Sequence, residues 1–105
     1  MSKTRIDFAG LSWEQARAGV RSKLFARDGR QLRLVEFTNE FVEHDWCTRG
    51  HVGYVLEGEV EISFDGRTEK FARGDGIFIT GGEAERHKAQ VTEGQFVRLL
   101  LVEDC

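Results

Sequence analysis

The sequence predicts an all-β protein, a sandwich or a barrel. Three observations carry that reading. The chain breaks into short apolar runs; the runs are separated by turn pairs such as Asp28-Gly29, Asp65-Gly66 and Glu93-Gly94; and the gaps are too short for the crossover helices that parallel strands require. There is no proline among the 105 residues, so each turn relies on Gly, Asp or Asn.

The elements follow in order. Residues 11–19, LSWEQARAG, hold the one helical stretch. Ser12 fits an N-cap with Gln15 as its reciprocal partner, and Gly19 stops the turn. This segment is read as an arm, residues 1–19, covering one end of a larger body. Strand grammar begins at VRSKLFA, residues 20–26, and continues after Asp28-Gly29 with QLRLVEF, residues 31–37. In GHVGYVLEGEVEISFDG, Val60, Ile62 and Phe64 alternate with Glu59, Glu61, Ser63 and Asp65. That period of two gives one dry face and one wet face. RTEKFA, then IFIT at 77–80, HKAQV at 87–91 and QFVRLLLVE at 95–103 complete the set.

Length bounds the organisation. The chain of 105 residues suits one domain, residues 1–105. Hydrophobic residues make up 40% and charged residues 31%, which suits a globular chain and argues against disorder. The formal charge of −3 excludes a broad cationic face, so no nucleic-acid partner is expected. No run approaches the ~20 apolar residues that span a bilayer, and the opening MSKTRIDFAG shows no secretory pattern. Cys47 and Cys105 give little motive for a disulfide, so a reducing cytoplasm is the expected home. Residues 77–79 and 97–102 are apolar on both faces. One face fills the interior, and the other calls for a second sheet or subunit, hence an expected homodimer.

The chemistry-bearing residues are few. His44, His51 and His87 are the three histidines, and imidazole is a good ligand for transition metals. Strand parity turns His87 inward with Ala89 and Val91, and groups His44 with Trp46. His51 shares its side with Gly53 and Val55. Cys47, next to Trp46, reads as a small buried or turn residue facing the other way. Glu36 interrupts an apolar run on the face of Leu32 and Leu34. If that face is interior, Glu36 is a candidate general base or a holder of a histidine; the alternative is a salt bridge to Arg98.

The residues from His44 to His87 and their flanking strands resemble the cupins, small jelly-roll β-barrels. The likeness covers about 31–102. His44 matches the first histidine of their first motif, Trp46 stands where the second is expected, and His51 stands where a glutamate is expected. The stretch Tyr54-Val55-Leu56-Glu57-Gly58 resembles the strand and closing glycine. Gly74-Asp75 matches the start of the second motif, Thr80 occupies the proline position, Gly82 the next glycine, and His87 the last histidine.

The resemblance implies a jelly-roll barrel with a short N-terminal helical segment. It implies a divalent metal (Fe, Mn, Ni or Zn) held by His44, His51 and His87. Trp46, Gly53, Val55 and Ala89 are then the expected pocket residues, with Gly53 leaving space beside the metal. A small molecule bound or transformed there, with chemistry of dioxygenase type, is the functional expectation. The alternative is a non-catalytic binding or sensory module, with or without metal.

Overall fold

Strand pairing sets the last strand of the chain beside the long strand at its middle. The computed structural model describes residues 4–104. Eight strands form: β1 (Glu14–Arg17), β2 (Val20–Arg27), β3 (Arg30–Thr38), β4 (His51–Phe64), β5 (Arg67–Ala72), β6 (Gly76–Ile79), β7 (His87–Gln90) and β8 (Phe96–Asp104). All named pairings are antiparallel, and the sheet order runs β1-β2-β3-β8-β4-β5, with β6 and β7 also paired to β4. Cys105, expected to be free, lies outside the described residues.

β4 serves both layers. Its first half lies between β8 and β6, and its second half between β5 and β7. The register shifts between Val55 and Glu57, and Gly58 follows with φ +76. A bulge with glycine in the left-handed region bends a strand sharply. A Cβ at Gly58 would stand 1.9 Å from the Phe96 carbonyl oxygen, so only glycine permits this bend against β8.

The inward faces follow the period of two. Val35, Val55, Val60 and Val97 are fully buried, joined by Ile62, Ile77, Ile79, Leu99 and Leu101. The antiparallel strands curl around this core as a β-barrel, as the sequence predicted.

The N-terminal segment corrects one expectation. Residues 11–19 form no helix. A single 3₁₀ turn covers Phe8–Gly10, and Glu14–Arg17 pairs with β2 as an edge strand. A helix of about nine residues does not hold by itself in water, whereas the ladder of β2 offers ready hydrogen bonds. Gly19 is the hairpin turn rather than a helix stop, with φ +78. Two contacts tie this segment to β2: Lys23 Nζ donates to the Phe8 carbonyl, and Arg21 stacks 4.0 Å over the Trp13 ring.

Glu36 shows which side of β3 is interior. Val35 is fully buried, so Arg33 and Phe37 share its inward side, and Glu36 lies on the outer face. There it is paired across strands with Arg21 on β2 and Arg98 on β8. Arg21 Nε donates to one carboxylate oxygen at 2.8 Å and Arg98 Nε to the other at 2.7 Å. Arg98 continues to Glu57 on β4 at 3.1 Å. Burial pushes the Glu36 carboxyl up, but the two guanidiniums outweigh it and lower the pKa overall. The residue is a rung of an ion-pair ladder and does not line the cavity described next.

Candidate metal and ligand site

A cavity of ≈ 390 Å³ opens between the inward faces of the two layers. Its walls are mostly apolar, from Phe37, Phe41, Ile62, Ile79 and Leu99 among others. Polar side chains also line it, among them Arg33, Arg49, Cys47, His51 and His87. The volume lies within the range of small-molecule pockets.

Three donors meet at this cavity. One ligand atom each from Cys47, His51 and His87 lies within 4.8 Å of the others. Cys47 Sγ and His51 Nε2 are 4.0 Å apart. The two imidazoles stand edge to face with centroids 5.2 Å apart. Each donor is delivered by a defined element. His51 opens β4 on its inward side, and His87 opens β7. Cys47 forms an isolated bridge to His87, with backbone hydrogen bonds of 2.8 and 2.9 Å in the two directions.

Both imidazoles are fixed from behind. His51 Nδ1 donates to Glu103 Oε2 at 2.6 Å, and His87 Nδ1 donates to the Glu85 carbonyl at 3.0 Å. With Nδ1 protonated, each Nε2 carries a lone pair free to bind a Lewis acid. Metal-ligating histidines are held in this way as a rule.

Glu103 was not found by the sequence reading. It occupies the inward register of β8 after Val97, Leu99 and Leu101, so parity alone pointed to it. Its side chain is 3% exposed. Gln31 Nε2 donates to Oε1 at 3.0 Å, and Arg33 donates from Nε to Oε1 and from Nη2 to Oε2, both at 3.1 Å. Burial pushes this carboxyl up; the hydrogen bonds from His51, Gln31 and Arg33 and the Arg33 charge more than compensate and lower it to about 2. It is an anion at any physiological pH.

The sequence-predicted residues divide. His51 and His87 come together, and Ala89 lines the cavity beside them. His44 is exposed, on the irregular segment between β3 and β4, and stands outside the donor cluster. Trp46 also faces out, 38% exposed, with Arg86 and Lys88 each 5.0 Å from its ring. Parity put Cys47 opposite Trp46, and so it is, but Cys47 is the one that points inward. Val55 is sealed in the core rather than on the cavity wall. Gly53 leaves no space beside the donors: a Cβ there would meet the Leu100 carbonyl oxygen at 2.1 Å. That glycine is needed for the approach of β8 to β4.

The donor set fits a divalent transition metal. Two imidazole nitrogens and a sulfur suit zinc, iron, nickel or copper rather than magnesium or calcium. In a tetrahedral site, sulfur and nitrogen donors stand about 3.6 Å apart, given metal–ligand bonds of about 2.1–2.3 Å. The 4.0 Å observed between Cys47 and His51 is close to that separation.

Comparison with known proteins agrees with this architecture. No family profile matches the chain, and no curated protein matches it by sequence. Solved structures do match. The polyketide cyclase RemF from Streptomyces resistomycificus is 26% identical with a TM-score of 0.82, over 99% of this chain and 80% of that one. KdgF from a Halomonas species is 19% identical with a TM-score of 0.77, over 99% and 96%. A cupin-2 domain containing protein from Shewanella frigidimarina is 25% identical with a TM-score of 0.63, over 80% and 79%.

Proposed function

From the premise that the chain is a small protein of the cupin superfamily, we propose that it holds a divalent transition metal through Cys47, His51 and His87 and binds a small organic molecule beside it. One observation carries this reading: the three donors converge on the cavity wall with each histidine tied off at Nδ1. His44, the third histidine expected from the resemblance, gives way to Cys47 in this reading.

Three protein donors leave at least one position of a bound ion open. An ion there supplies Lewis-acid chemistry and, if it is iron, the oxygen chemistry of a dioxygenase. The chain's own residues supply the rest. Phe37, Phe41 and Leu99 give an apolar bed and exclude water. Arg49 lines the same cavity, and its guanidinium suits an oxygen-rich end of the ligand. The polyketide cyclase among the structural neighbours favours a ligand of that size and apolar character. The bound Cys47 thiol belongs in a reducing compartment, which favours the cytoplasm.

We also read the outer face of β4, β6 and β8 as the contact with a second copy. Phe78, Val102, Val52 and Tyr54 are 78%, 50%, 42% and 49% exposed. Val52 pairs with both Phe78 and Val102, so they form one apolar row. Beside it runs the ladder Arg21–Glu36–Arg98–Glu57, whose two positive and two negative charges suit self-pairing about a two-fold axis.

Metal content of untagged protein tests the site. About one transition metal per chain is expected, lost in Cys47→Ala, His51→Ala and His87→Ala and kept in His44→Ala. No metal after reconstitution with Fe, Mn, Ni and Zn would overturn the metal reading and leave a metal-free ligand-binding barrel.

A further inference from the structure

We infer that Glu103 is a positioning residue that sets which nitrogen of His51 faces the cavity. The inference rests on the reading of His51 as a metal ligand. Val52 pairs with Val102 across β4 and β8, so His51 and Glu103 stand side by side one step further along the two strands. The carboxylate accepts from His51 Nδ1 at 2.6 Å. A carboxylate cannot donate, so in the neutral ring the proton sits on Nδ1 and the lone pair on Nε2, 4.0 Å from Cys47 Sγ.

The carboxylate is held in place from both sides. Oε1 accepts from Gln31 Nε2 and Arg33 Nε, and Oε2 accepts from Arg33 Nη2 and His51 Nδ1. Each oxygen is therefore taken up twice, which leaves no lone pair for a metal. The Arg33 charge balances the buried anion at 3.1 Å. Glu103 acts one layer behind the donors. The resemblance expects a ligating carboxylate at position 51, where this chain carries His51. Here a carboxylate from another strand orients the imidazole that replaced it. The arrangement extends through β3, since Gln31 and Arg33 both come from that strand and Gln31 pairs in register with Glu103.

Two measurements on the full chain test this. Long-range ¹H–¹⁵N spectra of the metal-free protein read the His51 tautomer, and competition with a chromophoric chelator reads zinc affinity. In the wild type, His51 is expected as the Nδ1–H tautomer. Glu103→Ala removes the acceptor, and Glu103→Asp withdraws it while keeping the charge that Arg33 needs. Both are expected to populate the Nε2–H tautomer and to weaken zinc binding by roughly ten- to a hundredfold. Glu103→Gln keeps one accepting oxygen but sets its amide N–H₂ against Arg33, so it is expected to fall between wild type and Glu103→Ala in both readouts. A folded Glu103→Ala or Glu103→Asp variant with the wild-type tautomer and affinity would refute the inference. If wild-type protein binds no zinc but these variants still lose the Nδ1–H tautomer, the metal reading fails while the orienting role of Glu103 stands.

Discussion

Gly53→Ala is a sensitive probe of how the fold builds the site. The added Cβ would lie 2.1 Å from the Leu100 carbonyl oxygen and 2.7 Å from Leu101 Cδ2. The oxygen is backbone and cannot swing away. Relief requires β4 and β8 to separate by more than 1 Å around the Gly53–Leu101 register pair, given an ordinary contact of about 3.4 Å. Overpacking of this kind costs about 1–3 kcal/mol, and each ladder hydrogen bond weakened adds up to about 1 kcal/mol. A loss of about 3 kcal/mol is expected, a large share of the stability of a small domain. Urea denaturation monitored by Trp fluorescence measures it, and the melting temperature should fall by roughly 10–20 °C. The same separation pulls His51 on β4 away from Glu103 on β8, so zinc affinity should drop with stability. A variant within 1 kcal/mol of wild type would refute the argument that strand approach, rather than room for a ligand, explains this glycine.

Other expectations follow from the charges and the exposed faces. Glu103 has its pKa lowered to about 2 in the folded chain. A lowered carboxylate stabilises the fold above the unfolded value near ~4.3, and the benefit is lost as pH falls toward the folded one. Glu103→Gln in metal-free protein should therefore cost about 3 kcal/mol near pH 7, at ~1.4 kcal/mol per pKa unit, with the gap from wild type closing toward pH 2; a gap independent of pH in denaturation curves would contradict this. Phe78→Asp, at a side chain 78% exposed in the apolar row, should leave folding intact and convert a dimer to a monomer in sedimentation velocity. Trp46→Ala should keep full metal content, because Trp46 packs with Arg86 and Lys88 outside the cavity; metal loss by elemental analysis would return it to the site.

The barrel was legible because its signal is local. Alternation in Val60, Ile62 and Phe64 states directly which side is dry. His87, Ala89 and Val91 were placed by the same rule. The rule needs a regular strand, and it failed where the backbone is not one. Residues 39–50 carry no strand beyond the single bridge at Cys47, so the shared face read for His44 and Trp46 had no ladder to enforce it, and their site roles rested on the resemblance. The bridge to His87 decides the matter by fixing Cys47 instead. Glu36 was open between an interior role and a salt bridge to Arg98. The face it shares with Leu32 and Leu34 is the outer surface of the sheet, and there the salt bridge to Arg98 forms, with Arg21 meeting the charge from the other side. The helix at 11–19 was read from a capping pattern, which a pairing partner in β2 outweighs.

The exchange of a histidine for Cys47 has an electrostatic consequence. Three neutral imidazoles would leave a divalent ion its full double charge. A thiolate removes one unit, so the proposed centre carries about one positive charge before any ligand arrives. The Glu103–Arg33 pair behind it is neutral overall and does not change that sum. A more weakly charged ion holds an anionic ligand less tightly, and the cavity must then supply other attraction. Arg49, which lines the same cavity, can do so, while Phe37 and Phe41 receive the apolar part. On this argument Cys47→His, which keeps a donor but restores the charge, should tighten binding of small carboxylates to the zinc-loaded protein, whereas Arg49→Gln should loosen it. Equal affinities in all three proteins by calorimetry would show that the ligand is held by the apolar wall alone.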